Sequence, residues 1–71
     1  MMKTIASTMA GTVFKVVVTT GQEVQTGEDV VILESMKMEV PISSEFSGKV
    51  MKVHVGEGDF VNEGDALVEL E

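Results

Sequence analysis

No cysteine occurs in the sequence, so neither a disulfide nor a thiolate metal site supports the fold. A reducing, cytoplasmic setting suits such a chain. Arginine is absent as well, and the five lysines (Lys3, Lys15, Lys37, Lys49 and Lys52) are scattered. With a formal net charge of −7, the chain has no clustered cations to neutralise phosphates, which argues against nucleic acid as a partner. Tryptophan and tyrosine are missing, and the aromatics are three phenylalanines. A core must therefore be packed from small aliphatics, which the 44% hydrophobic fraction supplies. The longest aliphatic run, Val30-Val31-Ile32-Leu33, falls far short of the ~20 residues that a spanning helix needs. The first residues, Met1 to Ser7, hold no sustained apolar stretch of the kind a secretion signal carries. Seventy-one residues suffice for one small domain, near the lower limit for a single unaided core.

What the chain does have is a repeat. Shifted by 37 positions, residues 1–34 fall on residues 38–71 without a gap. Gly11 meets Gly48, Val13 meets Val50, Lys15 meets Lys52 and Val18 meets Val55. Further on, Gly21 meets Gly58, Val24 meets Val61, Gly27 meets Gly64, Leu33 meets Leu70 and Glu34 meets Glu71. Ile5/Ile42 and Ser7/Ser44 extend the match upstream, while the Met1/Met38 match is trivial. Three residues, Ser35, Met36 and Lys37, belong to neither copy. Duplication accounts for the rest of the chain and leaves Lys37 as the first candidate for function.

Seven glycines cut the chain into pieces too short for most helices, and Val- and Ile-rich alternation fills the gaps. Phe14, Val16 and Val18 are expected on one face against Lys15 and Val17. Met51, Val53 and Val55 repeat this against Lys52 and His54, and Met38, Val40 and Ile42 oppose Glu39, Pro41 and Ser43. Val30–Leu33 is apolar on both sides, as a strand covered on both faces would be. This predicts about eight strands, four per copy, two of them very short, around Glu23–Gln25 and Phe60–Asn62. Each short strand lies in a Gly-x-x-Val-x-x-Gly unit, Gly21 to Gly27 and Gly58 to Gly64, whose glycines suit turns with positive φ. Gly56-Glu57-Gly58-Asp59 is not a phosphate loop: it is acidic and no helical pattern follows. The expected fold is all-β, a single domain over residues 1–71. It is a flattened eight-stranded sandwich or barrel of two four-stranded sheets with a pseudo-two-fold, each half covering the other's apolar face. Under that two-fold, the hairpin carrying Lys37 lies at the opposite end from both termini.

A strand over Asp29–Glu34 ends at Ser35 and another begins at Met38, so Met36-Lys37 fits the centre of a two-residue hairpin. Neither residue is the Gly, Asn or Asp that such turns favour. An exposed lysine simply tolerated on a turn is the plain alternative, the chain then being an unmodified binding or scaffold module. The surrounding residues point further. Glu34-Ser35-Met36-Lys37-Met38-Glu39 resembles the Ala-Met-Lys-Met attachment motif of biotinyl domains, the biotin carboxyl carrier family. The likeness spans nearly the whole chain, from Met9-Ala10-Gly11-Thr12-Val13 to Ser47-Gly48-Lys49-Val50 and Asp65-Ala66-Leu67-Val68.

The resemblance implies a carrier with no catalytic residues and no metal. Biotin protein ligase would biotinylate Lys37 covalently, with Glu34, Ser35, Met36, Met38 and Glu39 as the flanks it recognises. The attached cofactor would then shuttle carboxybiotin between biotin carboxylase and carboxyltransferase partners. It implies a thumbless, free-standing module whose partners are separate chains. Two departures are visible. Many family members have proline where this chain has Thr8 and Glu45, which should soften both turns. Ser35 stands where biotinyl domains usually have alanine and leans toward lipoyl domains, so lipoate on the same lysine, added by lipoyl-attaching enzymes, is the alternative. Elsewhere, His54 faces outward and lacks the partners of a metal site or catalytic base. Asp29, Asp59 and Asp65 suit turns beside glycine without calcium-loop order. Lys15 and Lys52 are mid-strand and structural, and Met9 and Met51 are expected to fill the core.

Overall fold

A computed structural model describes residues 2–71; Met1, the position matched to Met38 in the repeat, lies outside the described residues. Among them there is no helix. Eight strands run in order: β1 (Lys3–Ala6), β2 (Gly11–Val16), β3 (Glu23–Val24), β4 (Asp29–Ser35), β5 (Met38–Ser43), β6 (Gly48–Val53), β7 (Phe60–Val61) and β8 (Ala66–Leu70). They form two four-stranded sheets, β1-β8-β6-β3 and β5-β4-β2-β7. Moving each strand by the repeat interval converts one order into the other, so the pseudo-two-fold is present in the topology itself.

The halves are interleaved rather than stacked, which corrects the expectation that one copy would cover the other. Each copy places two of its strands in each sheet. The cause is the short connection after β1: it leaves one sheet at Ala6 and delivers the chain to β2 in the other at Gly11. The same crossing follows β5 in the second copy. Pairing of Lys3 with Leu70 brings the two chain ends together in the first sheet. The β4–β5 hairpin, their repeat counterpart in the second sheet, closes the opposite end of a body 34 Å long and 17 Å across.

The core is symmetric. Ile5/Ile42, Val13/Val50, Val24/Val61, Val31/Val68 and Leu33/Leu70 are all buried at both repeat positions. Each such side chain stabilises the fold by about 1.5–3 kcal/mol. Bulges interrupt the simple alternation, and three expectations change because of them. Val30 and Val31 are both buried although the strand has one outer face. The β4–β5 register slips between Asp29 and Val31, leaving Val30 as an extra inward residue, while Ile32 is only half-buried. Leu67 is the extra residue at the matching slip in β8. Phe14 does not share a face with Val16: the register of β2 on β4 shifts between Val13 and Lys15, turning both Phe14 and Lys15 outward. Met51 sits at the same bulge in β6 and is exposed rather than in the core, whereas Met9 packs against the core as expected.

The short strands are held by tied turns. Gly21, Gly27, Gly58 and Gly64 all have φ near 90°, the left-handed geometry expected of them. Beside them, the Asp59 carboxylate accepts from the Gly56 amide and the Asp65 carboxylate from the Asn62 amide, each at 2.8 Å. In the first copy Gln22 and Glu28 do the same work, accepting from Thr19 and Gln25 amides at 3.1 and 3.0 Å. The turns at Thr8 and Glu45 are not left loose by the missing prolines. Ser7 and Ser44, both buried, donate through Oγ to the carbonyls of Met9 and Phe46 and accept from the amides of the same residues.

Candidate functional site

At the end of the second sheet, Ser35 pairs with Met38, and Met36 and Lys37 make the two-residue turn between them. Met36 has φ 50° and Lys37 φ 67°, the only non-glycine residues with positive φ among those described. Two such residues in succession match the type I′ hairpin turn, whose twist suits the flanking strands. The left-handed region costs an L-residue roughly 1–2 kcal/mol, so the turn holds strain that Asn or Gly would remove. The sequence hinted at this through its disregard of turn preference, but only the backbone shows both residues in the left-handed region. Met36→Asn is therefore expected to raise stability by about 1 kcal/mol, measured as a higher urea midpoint at unchanged m-value.

The strain presents an amine. Lys37 is exposed, and among the described residues no hydrogen bond or ion pair engages its Nζ. Met36 is 93% exposed and Met38 64% exposed, so two apolar, pliable side chains flank the amine at the tip. Glu34 and Glu39 lie directly opposite each other across β4 and β5, both exposed; Ser35 is half-buried and the least accessible of the flanks. The predicted flanking residues thus gather on one hairpin around Lys37.

The other lysines are placed differently. Lys15 and Lys52 stand at the mid-strand bulges of β2 and β6. The Lys3 Nζ lies 3.4 Å from the Ser47 carbonyl oxygen and 5.7 Å from the Phe46 ring centroid, and Lys49 pairs with Glu23 in the β3–β6 ladder. His54, expected without partners, has one: its Nε2 is 2.7 Å from a Glu69 carboxylate oxygen on the neighbouring strand. The contact ties the residue just after β6 to β8, on the sheet that does not carry Lys37. No group of three or more metal-ligating residues occurs among the described residues. No helix among them is long and apolar enough to cross a membrane.

The two-sheet β-fold thus carries an exposed lysine, unpartnered among the described residues, at the apex of the hairpin between its two repeats. Residues 3–70 match the family described as "Biotin-requiring enzyme". The chain belongs to this biotin/lipoyl attachment family. It is 54% identical over 67 residues to a biotin/lipoyl attachment protein of Bacillus subtilis, covering 94% of this chain and 92% of that protein. It is 42% identical over 65 residues to a biotin carboxyl carrier protein of Streptococcus mutans, of which it spans half. Against pyruvate carboxylase of Bacillus subtilis the identity is 43% over 67 residues, only 6% of that much longer protein. Among solved structures, it superposes on the urea carboxylase of Kluyveromyces lactis with a TM-score of 0.93 at 32% identity, using all of this chain and 6% of the enzyme. The chain is a non-catalytic carrier domain of the biotin class.

Proposed function

We propose that the Nζ of Lys37 is the point of covalent biotin attachment. The observation that carries this reading is the unpartnered amine on a strained two-residue turn at the end of the domain away from the paired chain ends. The donor chemistry fits: an amide to biotin needs one accessible primary amine and nothing else from the carrier. A separate biotin protein ligase supplies biotinyl-adenylate. The Lys37 nitrogen attacks its carbonyl carbon, the C–N bond forms, the C–O bond to phosphate breaks, and AMP departs while the nitrogen gives up a proton. A turn locked at both central residues spends little orientational freedom on reaching the attack geometry. Met36 and Met38 give the ligase an apolar grip, and Glu34, Ser35 and Glu39 frame it. Once attached, biotin carries a carboxyl group between a biotin carboxylase and a carboxyltransferase. What the domain adds is a high effective concentration at both sites without release of the cofactor.

Lipoate on the same lysine is the second reading. Ser35 favours it, and so does the naming of the Bacillus subtilis relative for both cofactors. Incubating the protein with ATP and biotin plus biotin protein ligase, or with lipoate plus a lipoate-attaching enzyme, separates the two by intact mass and peptide mapping. A biotin adduct on the peptide holding Lys37 is expected. A lipoyl adduct without a biotin adduct reverses the order, and no adduct in either arm returns the domain to an unmodified binding module.

A further inference from the structure

The duplication contains its own control, because every outer-face residue of one sheet has a repeat counterpart on the other. In the sheet that carries the hairpin, the row just behind the Ser35–Met38 pair runs across four strands. Glu39 pairs with Glu34, Glu34 with Thr12, and Thr12 with Phe60. The next row holds Pro41, Ile32 and Lys15, with Phe14 beside Lys15 at the bulge. Val13 and Leu33, between these rows, are buried, so the rows themselves face outward. Phe60 is 65% exposed and Phe14 47%.

At the repeat-related positions the other sheet carries Glu23 for Phe60, Glu69 for Ile32, Thr4 for Pro41 and Met51 for Phe14. Glu23 makes the same kind of edge-strand pairing in β3 that Phe60 makes in β7, so the fold does not require an aromatic there. The apolar divergence falls on the face that shares its strands with Lys37. The acidic edge of that face also costs stability. Glu34 and Glu39 sit as like charges directly opposite each other, and among the described residues no cation pairs with either.

We infer that this outer face docks the enzyme that acylates Lys37, through an apolar patch on that enzyme bordered by Lys or Arg. The inference rests on the reading of Lys37 as the attachment site. Phe14, Phe60 and Ile32 supply the apolar centre, and Glu34 and Glu39 the charged edge next to the amine. An enzyme that forms the amide must bring its acyl donor to Nζ itself. Its surface is therefore forced against the neighbouring strands, and β7 lies two strands from β4, about 10 Å away. Partners that use the finished cofactor meet it at the end of a long arm and need no such contact.

The two test variants take their residues from the protein's own other half, which the fold already accepts at those positions. Phe60→Glu and Ile32→Glu, made singly, are assayed with biotin protein ligase, ATP and biotin over a range of carrier concentrations. KM for the carrier is expected to rise about tenfold or more at unchanged kcat. Added salt is expected to raise KM for the wild type. Met51→Thr, on the outer face of the other sheet, is expected to behave as wild type. Thermal unfolding by circular dichroism checks each fold, with Phe14→Thr replacing a variant that fails. Unchanged KM in the sheet variants, or an equal rise in Met51→Thr, overturns the docking face and leaves the attachment reading intact. A wild-type dimer in sedimentation that Phe60→Glu dissolves assigns the face to a second copy and also overturns it. Wild-type protein that accepts no biotin sinks the parent reading instead.

Discussion

Lys37→Arg is expected to abolish acyl attachment while leaving the domain folded. Arginine keeps the positive charge and the length, and it adopts the left-handed φ of 67° no less readily than lysine, so the hairpin stands. Its guanidinium is protonated at every working pH and offers no nucleophilic lone pair. The test is sharp because four other lysines remain. If exposure alone decided acylation, the signal would move to them rather than vanish. Lys15 and Lys52 are exposed but stand at bulges in the middle of strands rather than on a turn; Lys49 lies in a β-ladder and Lys3 is engaged by Ser47 and Phe46. Complete loss of the avidin signal, with an unchanged circular dichroism melt, is the expected outcome. A signal retained at half strength or more would mean that geometry at the tip does not select the amine.

Much of this architecture was legible because the sequence states it twice. The repeat interval fixes the number of strands, four per copy, and the singular position of Ser35-Met36-Lys37, and the glycines at 21, 27, 58 and 64 turn where expected. Side-chain direction was less legible. Alternation assumes one residue per step, and the bulges at Phe14 and Met51 violate it in both copies, so simple alternation puts Phe14 on a face it does not share with Val16, and Met51 in the core. Repetition could not expose this error, since both copies carry the same bulge. Interleaving of the halves was hidden for a different reason: whether a four-residue connection returns to its own sheet or crosses to the other depends on packing. At the site, residue identity supplied the motif. The left-handed backbone at Met36 and Lys37 and the opposed carboxylates of Glu34 and Glu39 required register and dihedral angles.

The serine pair is where the two copies depend most on each other, and removing it is expected to bring the domain near to unfolding. Ser7 donates its amide to the Asp65 carbonyl oxygen and accepts from the Gly64 amide, both at 2.8 Å. Ser44 makes the same two bonds, at the same length, to Glu28 and Gly27. Each serine therefore fastens a turn of the other copy while its hydroxyl closes its own turn onto Met9 or Phe46. Alanine keeps the backbone bonds but leaves a carbonyl and an amide without the hydroxyl, at about 1–3 kcal/mol per site. Total stability for 71 residues is about 4–11 kcal/mol at the usual 0.05–0.15 kcal/mol per residue, so Ser7→Ala with Ser44→Ala removes a large share of it. The singles need not be equal. The Phe46 amide lies 3.0 Å from the Ser44 hydroxyl and the Met9 amide 3.4 Å from that of Ser7, so Ser44→Ala is expected to cost more. Urea unfolding of both singles and the double checks the order. A double variant as stable as wild type would mean that the hydroxyls contribute nothing and that the turns hold by backbone pairing alone.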